Sequence, residues 1–347
     1  MNRSIIAISS SVFFVFLAAI LVLVPAPYVT WRPGKPVDVL GNTDAGPIIE
    51  IKDAPTYDTS GKLLLTVVST STASAHVSLP EAMLVYFRGE SDAMPRELIY
   101  PAGSSQKEIS EAAVASMDTS RENAVVAALR AAGIPVVERP MVSDVVMTGP
   151  AGGKMEPGDL ILEVNGHPVE TAQDVSRAVN ATVIGRGVTF LVDRDGTDQR
   201  ITVTAAASSQ DSSRPVVGIG LGTGYEYAPG IAFGLGDDIV GPSAGLVFAL
   251  GIYDRLTDGF LVGNATVAAT GEIDPSGGVT AIGGVREKIV GAEKAGASVF
   301  LLPSDNCASV GDLQTKVRLV PVATLRDAVA ALQFIAEGNE AEVPSCD

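Results

Sequence analysis

The run from 5 to 24 is almost wholly apolar, and no charged side chain occurs between Ser4 and Trp31. About 20 such residues match the hydrocarbon thickness of a bilayer, so the pattern predicts a transmembrane anchor over 5–25, with 1–4 as a cytoplasmic tip. A cleaved signal peptide has a shorter apolar run of about 7 to 15 residues and a small-x-small site. Here the run is longer and ends in Pro25-Ala26-Pro27, which predicts an uncleaved anchor. After it, 28–54 is rich in Pro, Gly and Asp with no sustained period and reads as a spacer, bounded at 26–60.

The periodicity then alternates between strand and helix. Gly61-Lys62-Leu63-Leu64-Leu65-Thr66-Val67-Val68-Ser69 reads as a buried strand. Ser105-Gln106-Lys107-Glu108 has the form of a capping box. Ile109, Ala113, Met117, Val125 and Leu129 then recur at near-helical spacing, so one long helix is predicted through Ala132, with a break near Asp118 left open. Beyond Gly133 come short strands at 142–147, 160–164, 188–193 and 200–204, with a helix over 172–180. The polar stretch 208–214 before Pro215 reads as a linker.

On a helical wheel for 285–296, Val285, Ile289, Ala292, Ala295 and Gly296 share one arc. Lys288 is the one charged side chain within it, and two readings stand. Either its ammonium snorkels to water, or it is held desolvated, which favours the neutral amine a general base needs.

Charge changes the picture by exclusion. The chain has 347 residues, with 24 Lys plus Arg against 40 Asp plus Glu, a net charge of −16. Such a surface repels phosphates and gives no footprint for nucleic acid. Arg3 before the apolar run keeps the N-terminus cytoplasmic by the positive-inside rule, although Arg32 and Lys35 follow on the far side. The bulk of the chain is thus expected outside the cytoplasm, as a single-pass protein of the cell membrane. In that compartment Cys307 and Cys346 can close a disulfide that ties the tail to the last domain, or remain two free thiols.

Candidate chemistry centres on Gly241-Pro242-Ser243-Ala244-Gly245, ahead of the apolar stretch 246–253. Proline is favoured at the first helical position, which puts Ser243 in a first turn whose amides lack intrahelical partners. The backbone amides of Ser243 and Ala244 are candidates for an oxyanion hole there. The bland alternative is an ordinary helix start. Serine needs a base, and the two histidines, His76 in a Ser/Thr/Ala-rich stretch and His167 in an Asn-Gly-His-Pro turn, are poorly placed by sequence. There is no His-Glu-x-x-His zinc motif, and no cofactor is called for.

Two resemblances organise these observations. Met155-Glu156-Pro157-Gly158-Asp159-Leu160-Ile161-Leu162-Glu163-Val164-Asn165-Gly166-His167-Pro168-Val169 resembles the core of a PDZ domain, placed at 134–208. PDZ domains add an extended peptide to an open sheet edge, so the resemblance implies capture of protein or peptide substrates. The family's carboxylate-binding loop is expected near 131–137.

The second resemblance is to the proteolytic domain of the Lon family of Ser-Lys peptidases. It rests on Gly241-Pro242-Ser243-Ala244-Gly245, Thr270-Gly271-Glu272-Ile273 and Gly283-Gly284-Val285-Arg286-Glu287-Lys288, within 215–337, followed by a tail at 338–347. It implies Ser243 as nucleophile, Lys288 as base and Thr270 as a hydroxyl that positions the lysine. It also implies a homo-oligomeric ring, such as a hexamer, and an N-terminal part of the protease domain at 61–133, with the PDZ unit inserted. Many members carry an acidic residue three positions before the serine, where this chain has Val240. The one near-match to a phosphate loop, Gly149-Pro150-Ala151-Gly152-Gly153-Lys154-Met155, has the wrong spacing, so no ATP-driven step is expected.

The combination resembles bacterial PDZ-containing Lon-like peptidases. The expected fold is α+β: a Lon-type proteolytic domain, a PDZ-like β-rich domain and one N-terminal transmembrane helix. The expected function is ATP-independent endopeptidase action, degradative or processing. The alternative is a catalytically inactive PDZ adaptor at the membrane.

Overall fold

The computed structural model divides into two units, Met1–Ile134 together with Pro229–Asp347, and Pro135–Ala228. The described residues are all except 1, 2, 44, 45, 73, 74, 76, 89, 102, 237, 238 and 347, and the side chains of 3, 4, 86, 88 and 340 are also left aside. His76 therefore lies outside the described residues. The longer helices are α1 (Arg3–Leu23), α2 (Leu79–Arg88), α3 (Gln106–Ala131), α4 (Ala172–Asn180), α5 (Gly245–Leu256), α6 (Val285–Lys294) and α7 (Leu325–Ala336).

The first unit is built on a parallel sheet of Lys62–Leu65, Thr266–Ala269, Val299–Pro303 and Arg318–Val322. Its inner strands, Lys-Leu-Leu-Leu, Thr-Val-Ala-Ala and Val-Phe-Leu-Leu-Pro, lack polar alternation because both faces are covered. Leu64, Ala268, Phe300 and Leu302 pack against Val285, Ile289 and Ala292 of α6. By the two-residue alternation, Leu63, Leu65, Val267 and Leu301 face the other side, where α5 contributes the buried Leu246, Phe248 and Leu250.

Helix α3 begins as the capping box requires. Ser105 Oγ accepts from the Glu108 amide at 3.2 Å, and the Glu108 carboxylate accepts from the Ser105 amide at 2.7 Å. The helix runs unbroken past Asp118 and buries Met117, Ser120, Ala124 and Ala128. Its buried face packs on α5.

The stretch read as a spacer is part of this unit. Tyr28–Pro33 is the middle strand of an antiparallel sheet between Val68–Thr70 and Asp92–Pro95. Val37–Asp38 borders the parallel sheet, and Ile49–Lys52 pairs with Gly230–Phe233. Val29, Val39, Ile48 and Ile49 are buried. These strands are cut short by Pro33, Gly34, Pro36 and Gly41, so none is long enough to show a period, and their partners lie far along the chain.

In the second unit the sheet order is Thr197–Thr204, Gly187–Arg194, Leu160–Val164, Val137–Val145, Ile219–Glu226, over a core that includes Ile161, Phe190, Val203 and Val175 of α4. The Pro-Gly-Asp turn is held by an ion pair. Asp159, 1% exposed, receives Arg194 Nε at 2.6 Å and Nη2 at 2.8 Å. Asn165 and Gly166 both have positive φ, 54° and 82°, as a tight Asn-Gly hairpin needs. The stretch 208–214 is a loop inside this unit, since Ala206–Ala207 pairs with Pro215–Val216. The unit therefore extends to Ala228. Its last strand, Ile-Gly-Leu-Gly-Thr-Gly-Tyr-Glu, gives a weak signal because every second residue up to Gly224 is glycine and only Ile219 and Leu221 mark its apolar face.

Cys307 and Cys346 form a disulfide, Cα to Cα 5.3 Å, closing a separation of 39 residues. It joins the tail to the cluster around Phe300. Replacing Cys346 with Ser is expected to lower unfolding stability in urea by about 2–4 kcal/mol, and reduction of the parent should have the same effect.

Candidate functional site

The parallel strands end at a cleft, the usual place for a ligand in such a sheet. Thr270 follows the central strand directly and anchors it to the next one, its amide donating to the Leu301 carbonyl at 3.0 Å. Opposite it, Gly241 takes φ 101°, a value only glycine adopts readily, and turns the chain into Pro242–Ala244, a single 3-10 turn that continues into α5. Ser243 sits in that turn with Pro242 at its first position. The turn is held from two sides. The Ser243 carbonyl accepts from the Gly271 amide at 3.0 Å and from Thr270 Oγ1 at 3.2 Å. Behind it, Ser120 Oγ of α3 donates to the Pro242 carbonyl at 2.8 Å, and Asn123 Nδ2 donates to the Ile273 carbonyl at 3.0 Å.

The last glycine of the motif is a packing requirement. A Cβ at Gly245 would lie 2.7 Å from Ile273 Cγ2 and 3.0 Å from Ser120 Oγ. The sequence-level reading missed Ser120 and Asn123. A polar residue within a helix otherwise rich in alanine was the available signal, and it is not specific.

Helix α6 brings the lysine. Its N-cap, Gly284, has φ 69°, and a Cβ there would meet Val68 Cγ2 at 2.7 Å and the Trp31 ring at 3.2 Å. The close approach seats the helix against the antiparallel sheet and aims Lys288 at the serine. Lys288 Nζ lies 2.7 Å from Ser243 Oγ and 3.0 Å from Thr270 Oγ1. Lys288 is 3% exposed and Thr270 is fully buried, so the snorkelling alternative does not describe this side chain.

Desolvation lowers the Lys288 amine to about 7, against the opposing pull of neighbouring Glu287. Burial raises the Glu287 carboxyl in turn, so that carboxylate is a weakened counter-charge. Among the described residues no carboxylate lies within ion-pair distance of Lys288. A neutral amine at 2.7 Å can accept the serine proton, and Thr270 Oγ1, which gives its own proton to the Ser243 carbonyl, offers the amine a lone pair. The amides of Ser243 and Ala244 precede the first closure of the turn, Gly245 N to Pro242 O, and lie where a helix start leaves donors free for an anion.

A cleft of about 860 Å³ opens over Ser243 and Lys288, with Trp31, Met117, Val240, Glu272 and Ile282 in its walls. His167 is exposed on His167–Pro168 in the other unit.

Residues 238–332 match the family model of the Lon protease (S16) C-terminal proteolytic domain, and residues 112–205 match that of the PDZ domain. The segment around Ser243 and Lys288 is thus similar to a Lon-type proteolytic domain. Lon protease 1 of Sorangium cellulosum is 42% identical over 78 residues, 22% of this chain and 9% of that protein. Lon protease 2 of Herpetosiphon aurantiacus is 34% identical over 151 residues, 42% of this chain and 18% of that protein. The chain thus spans less than a fifth of the length of these curated relatives. A solved PDZ domain of an SdrC-like protein from Listeria monocytogenes is 21% identical, covers 24% of this chain and 86% of that one, and has a TM-score of 0.22.

The PDZ match starts within α3 and stops before Ile219–Glu226, although that strand completes the sheet. A groove of about 340 Å³ lies between Val175 and Val179 of α4 and Val217, Ile219 and Leu221. Gly218, at φ 81°, turns the chain at its mouth. The expected loop at 131–137 is present as the turn and irregular stretch 132–136 between α3 and Val137–Val145, but it does not line this groove, whose glycines, Gly218 and Gly220, come after the matched core in sequence.

The buried lysine makes stability depend on pH. The unfolded chain holds the Lys288 proton up to about 10.5 and the folded chain only to about 7, so the parent gains stability as pH rises between these values and carries the full cost below them. Lys288→Met removes that cost. Urea unfolding should show the variant's stability relative to the parent greatest near pH 6 and declining steadily toward pH 10.

Proposed function

We propose that this chain is a membrane-anchored serine endopeptidase in which Ser243 and Lys288 act as a catalytic dyad. The observation that carries the reading is the 2.7 Å contact between Ser243 Oγ and a buried amine lowered to about 7. As Ser243 Oγ bonds to the scissile carbonyl carbon, its proton passes to Lys288 Nζ. The oxyanion that forms is met by the amides of Ser243 and Ala244. Collapse breaks the C–N bond, and Lys288 returns the proton to the leaving amine, leaving an acyl-enzyme. Water then gives a proton to Lys288, attacks the ester carbonyl and restores the serine hydroxyl. Only water is consumed, so an unstructured substrate should be cut without ATP.

The PDZ unit supplies capture. Ile219–Glu226 is the edge of its sheet, beside the apolar groove against α4, which suits an extended peptide adding one strand. Assembly into a ring of several copies remains part of the family-based proposal. The anchor is supported by Ile5–Leu23, apolar enough to cross a membrane and with none of its length buried. The disulfide accords with a catalytic domain on the oxidising side.

Casein hydrolysis by the full chain in detergent, without nucleotide, tests the dyad. Ser243→Ala and Lys288→Ala should each lose at least about a thousandfold in kcat, since members of such a unit fail together. Equal rates in all three would sink the dyad, and a parent without activity would favour the adaptor. The acid limb of kcat/KM should fall near pH 7, because protonated Lys288 cannot take the serine proton.

Thr270→Val keeps the shape and removes one partner of the amine. A drop in kcat of roughly tenfold is expected, the size of one charge-assisted hydrogen bond, with KM little changed. A changed KM at constant kcat would reassign Thr270 to substrate binding.

A further inference from the structure

Helix α2 is apolar on two faces. Val77, Ala82 and Val85 are buried, with exposures of 3%, 5% and 7%, and hold the helix to its unit. On the opposite arc Leu79, Met83 and Leu84 are 40%, 51% and 52% exposed, and Phe87, one turn on, is 75% exposed. A short helix that buries one apolar face and shows another to water calls for a second apolar medium.

Its position says which medium. Pro25 bridges to Ser78, and the Ala26 amide donates to the Val77 carbonyl at 2.8 Å, so α2 starts beside the residues that leave the membrane-spanning helix. Helices α1 and α2 also touch. A second element hangs from the same place. The Arg96 amide donates to the Pro27 carbonyl at 2.9 Å and begins the single turn Arg96–Ile99, on which Leu98 is 65% exposed. Any bilayer holding Ile5–Leu23 has its interface at this level. Arg96 stands nearby, of the sign that suits anionic headgroups, while Arg32 pairs with Glu81 of α2 at 3.1 Å.

We propose that the outer face of α2, with Leu98, lies in the interfacial layer of the bilayer that α1 spans. The proposal rests on the anchor reading and adds a second membrane contact to it. The protease unit is then held at a fixed height and tilt instead of swinging on a tether. Six residues lie between Val24 and Trp31 in the cleft wall, so that wall stands within roughly 25 Å of the span, at the reach of an extended chain. A cleft at that height meets chain segments close to the membrane first.

Tryptophan quenching by brominated lipid tests the placement. The full chain is reconstituted in vesicles of phosphatidylglycerol and phosphatidylcholine, the latter brominated in the upper half of its acyl chains. Leu84→Trp and Met83→Trp are each compared with the parent, whose one tryptophan, Trp31, gives the background. Phe14→Trp reports the span, and Val114→Trp on α3, 43% exposed, is the control outside the layer. The signal added at Leu84 and Met83 should fall by about half or more, as for side chains seated at the headgroup boundary, and that at Val114 should not. Quenching at Phe14 without quenching at either α2 position overturns the proposal and leaves the anchor standing. Failure at all three sinks the anchor and the proposal together.

Discussion

Removing water from one amine is the constraint on which the rest of this site depends. An ammonium in a dry interior is costly, and the cost falls if the proton leaves, which is why the Lys288 amine is lowered to about 7. To reach that state the chain must seal Lys288 without giving it a full counter-charge. It does so with neutral partners, Ser243 Oγ and Thr270 Oγ1, and with a neighbouring Glu287 whose carboxyl is itself raised by burial. A carboxylate in place of Thr270 would make the lysine easier to bury and poorer as a base.

The seal draws on distant parts of the chain. The parallel sheet places Thr270 at the end of its central strand, and the turn after Gly241 places Ser243 across from it. Helix α6 reaches both because Gly283 and Gly284 allow it to lie against Trp31 and Val68. Trp31 stands on the strand that follows α1, so the wall of the cleft and the exit from the proposed span belong to one antiparallel sheet. The link between α1 and the site is therefore structural. It would fix where the proposed peptidase works as well as how it works.

The PDZ unit enters between α3 and Gly230–Phe233, two elements of the first unit that pack without it: α3 on α5, and Gly230–Phe233 on Ile49–Lys52. The interrupted unit is therefore closed by its own long-range contacts. The groove of the inserted unit, proposed above to take a peptide, is bordered by a glycine-rich edge strand at the end of the insertion.

Local chemistry was legible in the sequence wherever it was strong over a few residues. The capping box of α3, the Asn165-Gly166 hairpin, the long apolar run of α1 and the glycine-proline entry to Ser243 are all local features, which need no distant partner. The helical wheel showed Lys288 on an apolar arc but left snorkelling and burial equal, because exposure is set by what covers the arc. Only the tertiary structure decided that, by laying the ends of two parallel strands and the turn of Ser243 over it. The same reason explains the misread stretches. The strands within 28–52 and the edge strand 219–226 are short or glycine-rich, and carry little pattern of their own. They become strands because partners far along the chain satisfy their backbone groups, a term that no local reading contains.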